Sequence, residues 1–178
     1  MTKLISLFAV ILTTLSTATF AETLKVASWN IAWLGSHEYN QRKDTDYQKL
    51  ARYARELDAD VIALQEVESA KWAKKVFGDE YDYFFTTKDW VQRVGVAVRK
   101  SSGYKATAVE YRELDQGLAR RGMDVTLTKN GKSVRLLAVH MKSGCFDKAL
   151  DQTSIASMPN TNEKELYAKT ACAELAKQ

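Results

Sequence analysis

Proline, cysteine and histidine are all scarce in this chain. Its 178 residues hold one proline, Pro159, two cysteines, Cys145 and Cys172, and two histidines, His37 and His140. With so little proline and no internal repeat there is no recognisable linker, and the chain reads as one domain. The two cysteines lie too far apart in sequence for a compact zinc pattern. Beyond the N-terminus no apolar run is long enough to span a membrane, so a soluble mature protein with no stable membrane association is expected. Charge of one sign is not abundant either. A formal net charge of +4 is too mild for a protein dedicated to coating nucleic acid. The excess is clustered, in Lys71, Lys74 and Lys75, in Arg99 and Lys100, and in Arg120 and Arg121. Taken one by one these read as solvated surface; together they fit an anionic partner, phosphates above all.

The N-terminus does carry an apolar run. Lys3 precedes the stretch Leu4 to Leu15, and Thr19-Phe20-Ala21 places small residues where a signal peptidase reads. This is the pattern of a signal peptide over residues 1–21, cleaved after Ala21, and it implies a periplasmic or secreted protein. A membrane anchor is the alternative, disfavoured by the short stretch and its threonines and serines. In an oxidising compartment an even cysteine count favours a Cys145–Cys172 disulfide over two reduced thiols. Such a bond would contribute about 3–4 kcal/mol by restricting the unfolded chain.

Apolar strands then alternate with amphipathic helices. LKVASWN (24–30) reads as a strand, and TDYQKLARYARELDAD as a helix with Thr45 and Gln48 spaced as a capping box. Its apolar face takes in Tyr47, Leu50, Ala51, Ala54 and Leu57. VIALQEV (61–67) is apolar without alternation at its start, which suits a strand covered on both faces. Ser69 is placed to cap a short helix through Phe77 with Trp72, Ala73 and Val76 turned inward. Five β-rich segments follow, YDYFFTT, RVGVAVRK, KATAVEYREL, MDVTLT and VRLLAVH, and their close succession predicts antiparallel neighbours. KNGK between the last two is a tight-hairpin signal. After a polar loop over 147–161, Asn162 and Glu165 are spaced to cap a last helix, with Ala168, Ala171, Cys172 and Leu175 on its inner face.

Three of these strands end in a residue with chemical competence: Asn30, Glu66 and His140. Ligands of α/β proteins bind beyond the carboxyl ends of strands, so neighbouring strands running the same way would converge the three side chains. Asn and Glu supply the oxygen ligands that a hard cation such as Mg²⁺ prefers. A histidine beside them could orient or protonate a phosphate oxygen.

At these residues the chain resembles the endonuclease/exonuclease/phosphatase superfamily, the DNase I-like proteins, in its exported bacterial branch. SWNIAWLG, DADVIALQEVES and LLAVHMKSGC carry the likeness, in the family's order and on the expected elements. The resemblance implies a four-layer α/β/β/α sandwich, here a partial one, over residues 22–178. It implies an endonuclease/exonuclease-type phosphodiesterase that uses Mg²⁺ (or Mn²⁺) for in-line attack of water on phosphorus. Asn30 and Glu66 would hold or orient the metal, and His140 would contact the scissile phosphate. Gln92, Arg93 and Lys142 are further candidates for contact with a phosphodiester substrate, nucleic acid before phospholipid or inositol phosphate. A non-catalytic remnant or an anion-binding module is the alternative.

The departures from the family pattern carry expectations too. Gln92 stands where some family nucleases place a glutamate that orients the histidine; it can accept a hydrogen bond but cannot compensate an imidazolium. Glu68 stands where the DNase I type has a minor-groove arginine, and an acid there would repel DNA phosphates. No GD-x-N follows His140 and no SDH occurs. With those motifs would go the aspartate that activates water and its Asp-His partner. The chain therefore reads as an N-terminal portion of the fold, apparently truncated at its C-terminus. Expectations for it alone are little turnover, an exposed apolar face and self-association.

Overall fold

The computed structural model describes residues 23–88, 92–115 and 120–141. The signal segment 1–21, Lys142, the Cys145–Cys172 pair, the Pro159 loop and the last helix fall outside the described residues. Among those described, the chain runs β1 (Val26–Leu34), α1 (Asp44–Leu57), β2 (Val61–Val67), α2 (Ala70–Phe77), β3 (Tyr81–Phe85), β4 (Arg93–Arg99), β5 (Lys105–Tyr111), β6 (Gly122–Lys129) and β7 (Lys132–Ala138), with short 3₁₀ turns between. A first sheet has the order β1-β2-β4-β3 and a second the order β5-β6-β7. β1 and β2 are parallel, and every other pairing is antiparallel.

Two cores explain the layering. Ile62, Leu64 and Val67 of β2 turn to one face of the first sheet and meet Ala54 of α1 and Ala73, Val76 and Phe77 of α2. Val61 of β2 and Val94, Val96 and Val98 of β4 turn to the other face and meet Met123, Val125 and Leu127 of β6 and Ala138 of β7. The unbroken apolar run of β2 is thus buried from both sides, as its composition requires. Helices, first sheet and second sheet make three layers, the α/β/β part of the expected sandwich.

Several local expectations need correction. Helix α1 begins at Asp44, ahead of Thr45: Lys43 is the cap, and its backbone N–H donates to the Asp46 carboxylate at 3.0 Å. A carboxylate at the third helical position satisfies the cap's free N–H, and it sits where the helix dipole favours negative charge. Leu57, placed on the inner face by periodicity, is exposed, because the chain leaves the helix at Asp58 in a left-handed conformation. The β segments do not all pair in succession. β4 pairs with β2 and β3, and the chain then crosses to the second sheet at β5. The apolar face expected to stand open is mostly closed, because β5–β7 pack over β2 and β4. What remains is a cleft of about 370 Å³ beside β1 and β7, lined by Val26, Val61, Ala63, Leu136 and Val139 among others. The hairpin between β6 and β7 is as expected, with Asn130 at φ 51° and Gly131 at φ 73°.

Gly95 in β4 stands opposite Phe85 in a close approach. A methyl group there would collide with the Phe85 ring and come within 2.9 Å of the Phe84 carbonyl oxygen. Gly95→Ala should therefore destabilise the fold by about 1–3 kcal/mol, since neither neighbour can retreat from a packed sheet. Urea denaturation followed by circular dichroism measures it, and an unchanged midpoint would contradict this packing.

Candidate active site

The first sheet loses its regularity at one end, and the candidate residues stand there. β1 pairs with β2 in step from Val26↔Val61 to Asn30↔Gln65, and then resumes at Leu34↔Val67. On β2 the same place holds an extra residue relative to β4: Gln65 faces Val94 and Val67 faces Arg93, leaving Glu66 unmatched. Glu66 adopts φ 59°. A β-bulge of this kind re-aims one side chain while the strand continues, and it is costly for a residue other than glycine. On β1, Ala32 (φ 45°) and Trp33 (φ 63°) share the irregularity. Arg42 braces them: Nη2 donates to the carbonyls of Ile31 at 2.6 Å and Ala32 at 2.9 Å, and Nη1 to that of Trp33 at 3.3 Å. The Asn40 amide also donates to the Ala32 carbonyl.

Asn30 is therefore not the last residue of its strand but the last regular one before the break. Its Oδ1 accepts the Ala32 N–H at 2.9 Å, which fixes the amide so that Nδ2 donates to Glu66 Oε1 at 3.2 Å. His140 lies two residues past the end of β7, in the second sheet, so the three residues do not come from neighbouring strands of one sheet. They converge across the two sheets: His140 Nε2 is 3.6 Å from Glu66 Oε1. Both side chains are largely sheltered, with 18% of the imidazole and 15% of the carboxylate side chain exposed.

Burial, helped by the positive charge of Arg120, holds the His140 pKa below the usual histidine value, against the opposing pull of Glu66. The imidazole is thus neutral near pH 7. Its Nδ1 is buried and has no hydrogen-bond partner among the described residues.

The other sequence candidates divide. Gln92 is buried and its Oε1 accepts a hydrogen bond from Arg120 Nη2 at 2.5 Å. Arg93 opens β4, half-buried, with its charge near Glu68. Lys142 lies outside the described residues. Glu68 is held in place by Ser36, accepting its N–H at 2.5 Å and its hydroxyl at 2.8 Å. Burial raises its pKa, but those hydrogen bonds, one from Trp72 and the Arg93 charge outweigh it and hold the carboxyl low.

Two residues at the site were not singled out from the sequence. Arg42 hides in a polar loop, and its role follows only from the strained carbonyls it meets. Arg120 reads in sequence as one of two surface arginines, yet it ties Gln92 to the Met141 carbonyl, which its Nη1 reaches at 3.4 Å. That link joins the start of β4 in one sheet to the residue after His140 in the other. Arg121 turns instead to Glu110 at 3.0 Å and Asp115 at 2.8 Å, where Lys88 also pairs with Asp115 at 2.5 Å.

Comparison with known proteins bears on the family and the fold. The model of the Endonuclease/Exonuclease/phosphatase family matches residues 27–162. No curated protein matches. Among solved structures, humanized D. rerio TDP2 with 14 mutations is similar at 22% identity and a TM-score of 0.53, over 67% of this chain and 48% of that one. Truncated Caenorhabditis elegans TDP2 is similar at 21% identity and a TM-score of 0.54, over 67% of this chain and 47% of that one. D. rerio TDP2 complexed with single strand DNA product gives 17% identity and a TM-score of 0.52, over 83% of this chain and 64% of that one. At these identities the likeness is one of fold. The chain spans about half the length of the first two.

The depressed His140 pKa has a consequence for stability. A group whose folded pKa lies below its unfolded value near 6.5 stabilises the fold fully above that value. The contribution is lost as the pH falls through the unfolded pKa toward the folded one, because the unfolded chain then binds the proton more readily. Melting temperatures of the wild type should therefore drop more steeply between about pH 7 and pH 5 than those of His140→Asn. Parallel curves for the two proteins would show that His140 is not buried as described.

Proposed function

Because the chain belongs to the Endonuclease/Exonuclease/phosphatase family and its Asn30, Glu66 and His140 meet across two sheets, we propose that it supplies the metal and phosphate side of a divalent-metal-dependent phosphodiesterase site for nucleic acid, in an exported protein. The observation that carries the reading is the convergence at Glu66. A non-glycine residue held at φ 59° on a bulge, hydrogen-bonded by one candidate and approached by another, is an arrangement that stability alone does not call for.

The residues fit a hard cation. Glu66 Oε2 makes no hydrogen bond among the described residues, and Asn30 fixes the other oxygen. No group of three His, Cys, Asp or Glu side chains is gathered among the described residues. Mg²⁺ is held through one or two carboxylates, waters and substrate phosphate rather than a full protein cage. Glu66 would hold the ion and Asn30 would keep the carboxylate aimed. The ion would supply charge neutralisation of the phosphoryl oxygens during in-line displacement. His140, neutral and close to Glu66, would donate a hydrogen bond from Nε2 to a phosphate oxygen. Its buried Nδ1 is then a hydrogen-bond acceptor. Water activation is assigned to residues beyond those described, since proton transfer and positioning each supply a large part of the rate.

Nucleic acid is favoured as substrate by the basic groups at the same sheet end and by analogy with the similar structure that holds a single-strand DNA product. Self-association is part of the reading. The cleft beside β1 and β7, lined by Val26, Leu136 and Val139 among others, is the part of the half-fold face that a second copy would cover.

Calorimetric titration with Mn²⁺, with plasmid nicking in parallel, tests the proposal. The wild type should bind the ion, Glu66→Gln should lose binding, and Asn30→Ala should weaken it less, because the amide only positions the carboxylate. Nicking by the purified chain should be slight. Equal Mn²⁺ binding by Glu66→Gln would refute the metal assignment, and robust nicking that survives in Glu66→Gln would refute the site.

A further inference from the structure

The flank of the site on the helix side carries aromatic rings and lysines in an unusual partnership. Trp33, within the break in β1, and His37 beyond it pack ring against ring, with centroids 4.9 Å apart. Glu68, two residues past Glu66, binds Ser36 beside His37 and also receives a hydrogen bond from Trp72. Trp72 in turn stacks on Tyr47 at 6.4 Å and an interplanar angle of 22°. A chain of contacts, here called the ledge, thus links the Asn30–Glu66 break through Trp33, His37 and the Ser36–Glu68 pair to the half-buried rings of Trp72 and Tyr47.

Two cations lie on that ledge. Lys75 Nζ sits 4.1 Å from the Trp72 ring centroid and 5.1 Å from that of Tyr47, and Lys71 Nζ is 5.9 Å from Trp72. Both lysines are exposed and neither forms an ion pair among the described residues. Their neighbour Lys74 does, with Asp79 at 2.8 Å. Glu68 is engaged by three hydrogen bonds, two from Ser36 and one from Trp72. Around Tyr47 the charges of Arg42 and Asp44 offset one another. Lys71 and Lys75 therefore present positive charge outside any ion pair among the described residues, one helical turn apart on the face above the rings.

We propose that this ledge is a track for single-stranded nucleic acid leading into the Asn30–Glu66–His140 cluster. A base stacks against the Trp33–His37 pair at the mouth of the cluster, and the phosphates beyond it run over Lys71 and Lys75. Aromatic faces with interleaved cations are what an unpaired strand requires, since each of its bases exposes a π face that a duplex hides. The mild net charge agrees, because a few well-placed lysines backed by stacking take the place of a broad basic surface. The proposal rests on the phosphodiesterase reading above and adds the strandedness of the substrate and the residues that select it.

Fluorescence anisotropy in EDTA tests it without turnover, using a labelled oligothymidylate, an abasic strand of the same length and the corresponding duplex. The wild type should bind oligothymidylate about tenfold more tightly than the abasic strand, the effect of one stacked base, and more tightly than the duplex. His37→Ala, at an exposed position, should remove most of the preference for bases, and His37→Tyr should keep it. The double variant Lys71→Ala/Lys75→Ala should retain the preference. Its slope of log affinity against log salt should fall by about 1.4, about 0.7 for each phosphate no longer neutralised. An oligouridylate arm separates DNA from RNA, and tighter binding of either than of the abasic strand supports the track. Equal binding of abasic and normal strands by the wild type, or an unchanged salt slope in the lysine variant, would overturn it. Since the anisotropy is read without metal, a track that passes while Glu66→Gln still binds Mn²⁺ normally would sink the phosphodiesterase reading and leave the track standing.

Discussion

The bulge at Glu66 is the constraint on which the site depends. In a regular strand Glu66 would alternate with Gln65 and Val67 and be carried to one face or the other by the pleat. The extra residue breaks that alternation and leaves the carboxylate at the end of the sheet. Its left-handed backbone costs about 1–3 kcal/mol, which the surrounding structure has to offset. The means are visible. β2 is clamped between β1 and β4 and buried on both faces, so its path is set by packing on either side of the irregular residue. Arg42 secures the matching break in β1 through three carbonyls, and Asn30 links the two breaks by one hydrogen bond to each.

The second sheet completes what the first begins. β7 delivers His140 from the opposite layer, and the imidazole settles between Glu66 and Arg120, an acid on one side and a base on the other. Arg120 reaches back to Gln92 at the start of β4, so the separation of His140 from Glu66 is set by a polar tie between sheets as well as by the apolar core beneath it. Changing either the core or the tie would shift the two halves of the cluster relative to one another.

Much of this was legible in the sequence. The uninterrupted apolar run of VIALQEV announced a strand buried on both faces, and Asn130-Gly131 announced a tight hairpin, because in both cases local composition and tertiary need coincide. Asn30, Glu66 and His140 were found as polar residues ending apolar runs. What could not be read is how they meet. Strand order and the crossing from β4 to β5 are decided by packing between layers, which periodicity within a segment does not encode. The bulge is invisible because glutamate has no preference for a positive φ. The helix cap moved from Thr45 to Lys43 because a carboxylate at Asp46 could bond the cap's backbone N–H, a competition that pattern matching did not resolve. Gln92 and Glu68 stood at positions of interest, and their hydrogen bonds to Arg120 and Ser36 follow from tertiary contacts that a segment pattern does not encode.

The central claim is that one carboxylate, aimed by a bulge and an amide, gathers a cation beside a histidine from the other sheet. Paramagnetic broadening of backbone amide signals by sub-stoichiometric Mn²⁺ reads this most directly, since it maps the ion by distance and requires no turnover. The account predicts broadening centred on Asn30, Glu66 and His140 together, absent in Glu66→Gln. Broadening centred on the Glu110–Asp115 cluster instead, or spread over the surface without a focus, would contradict it.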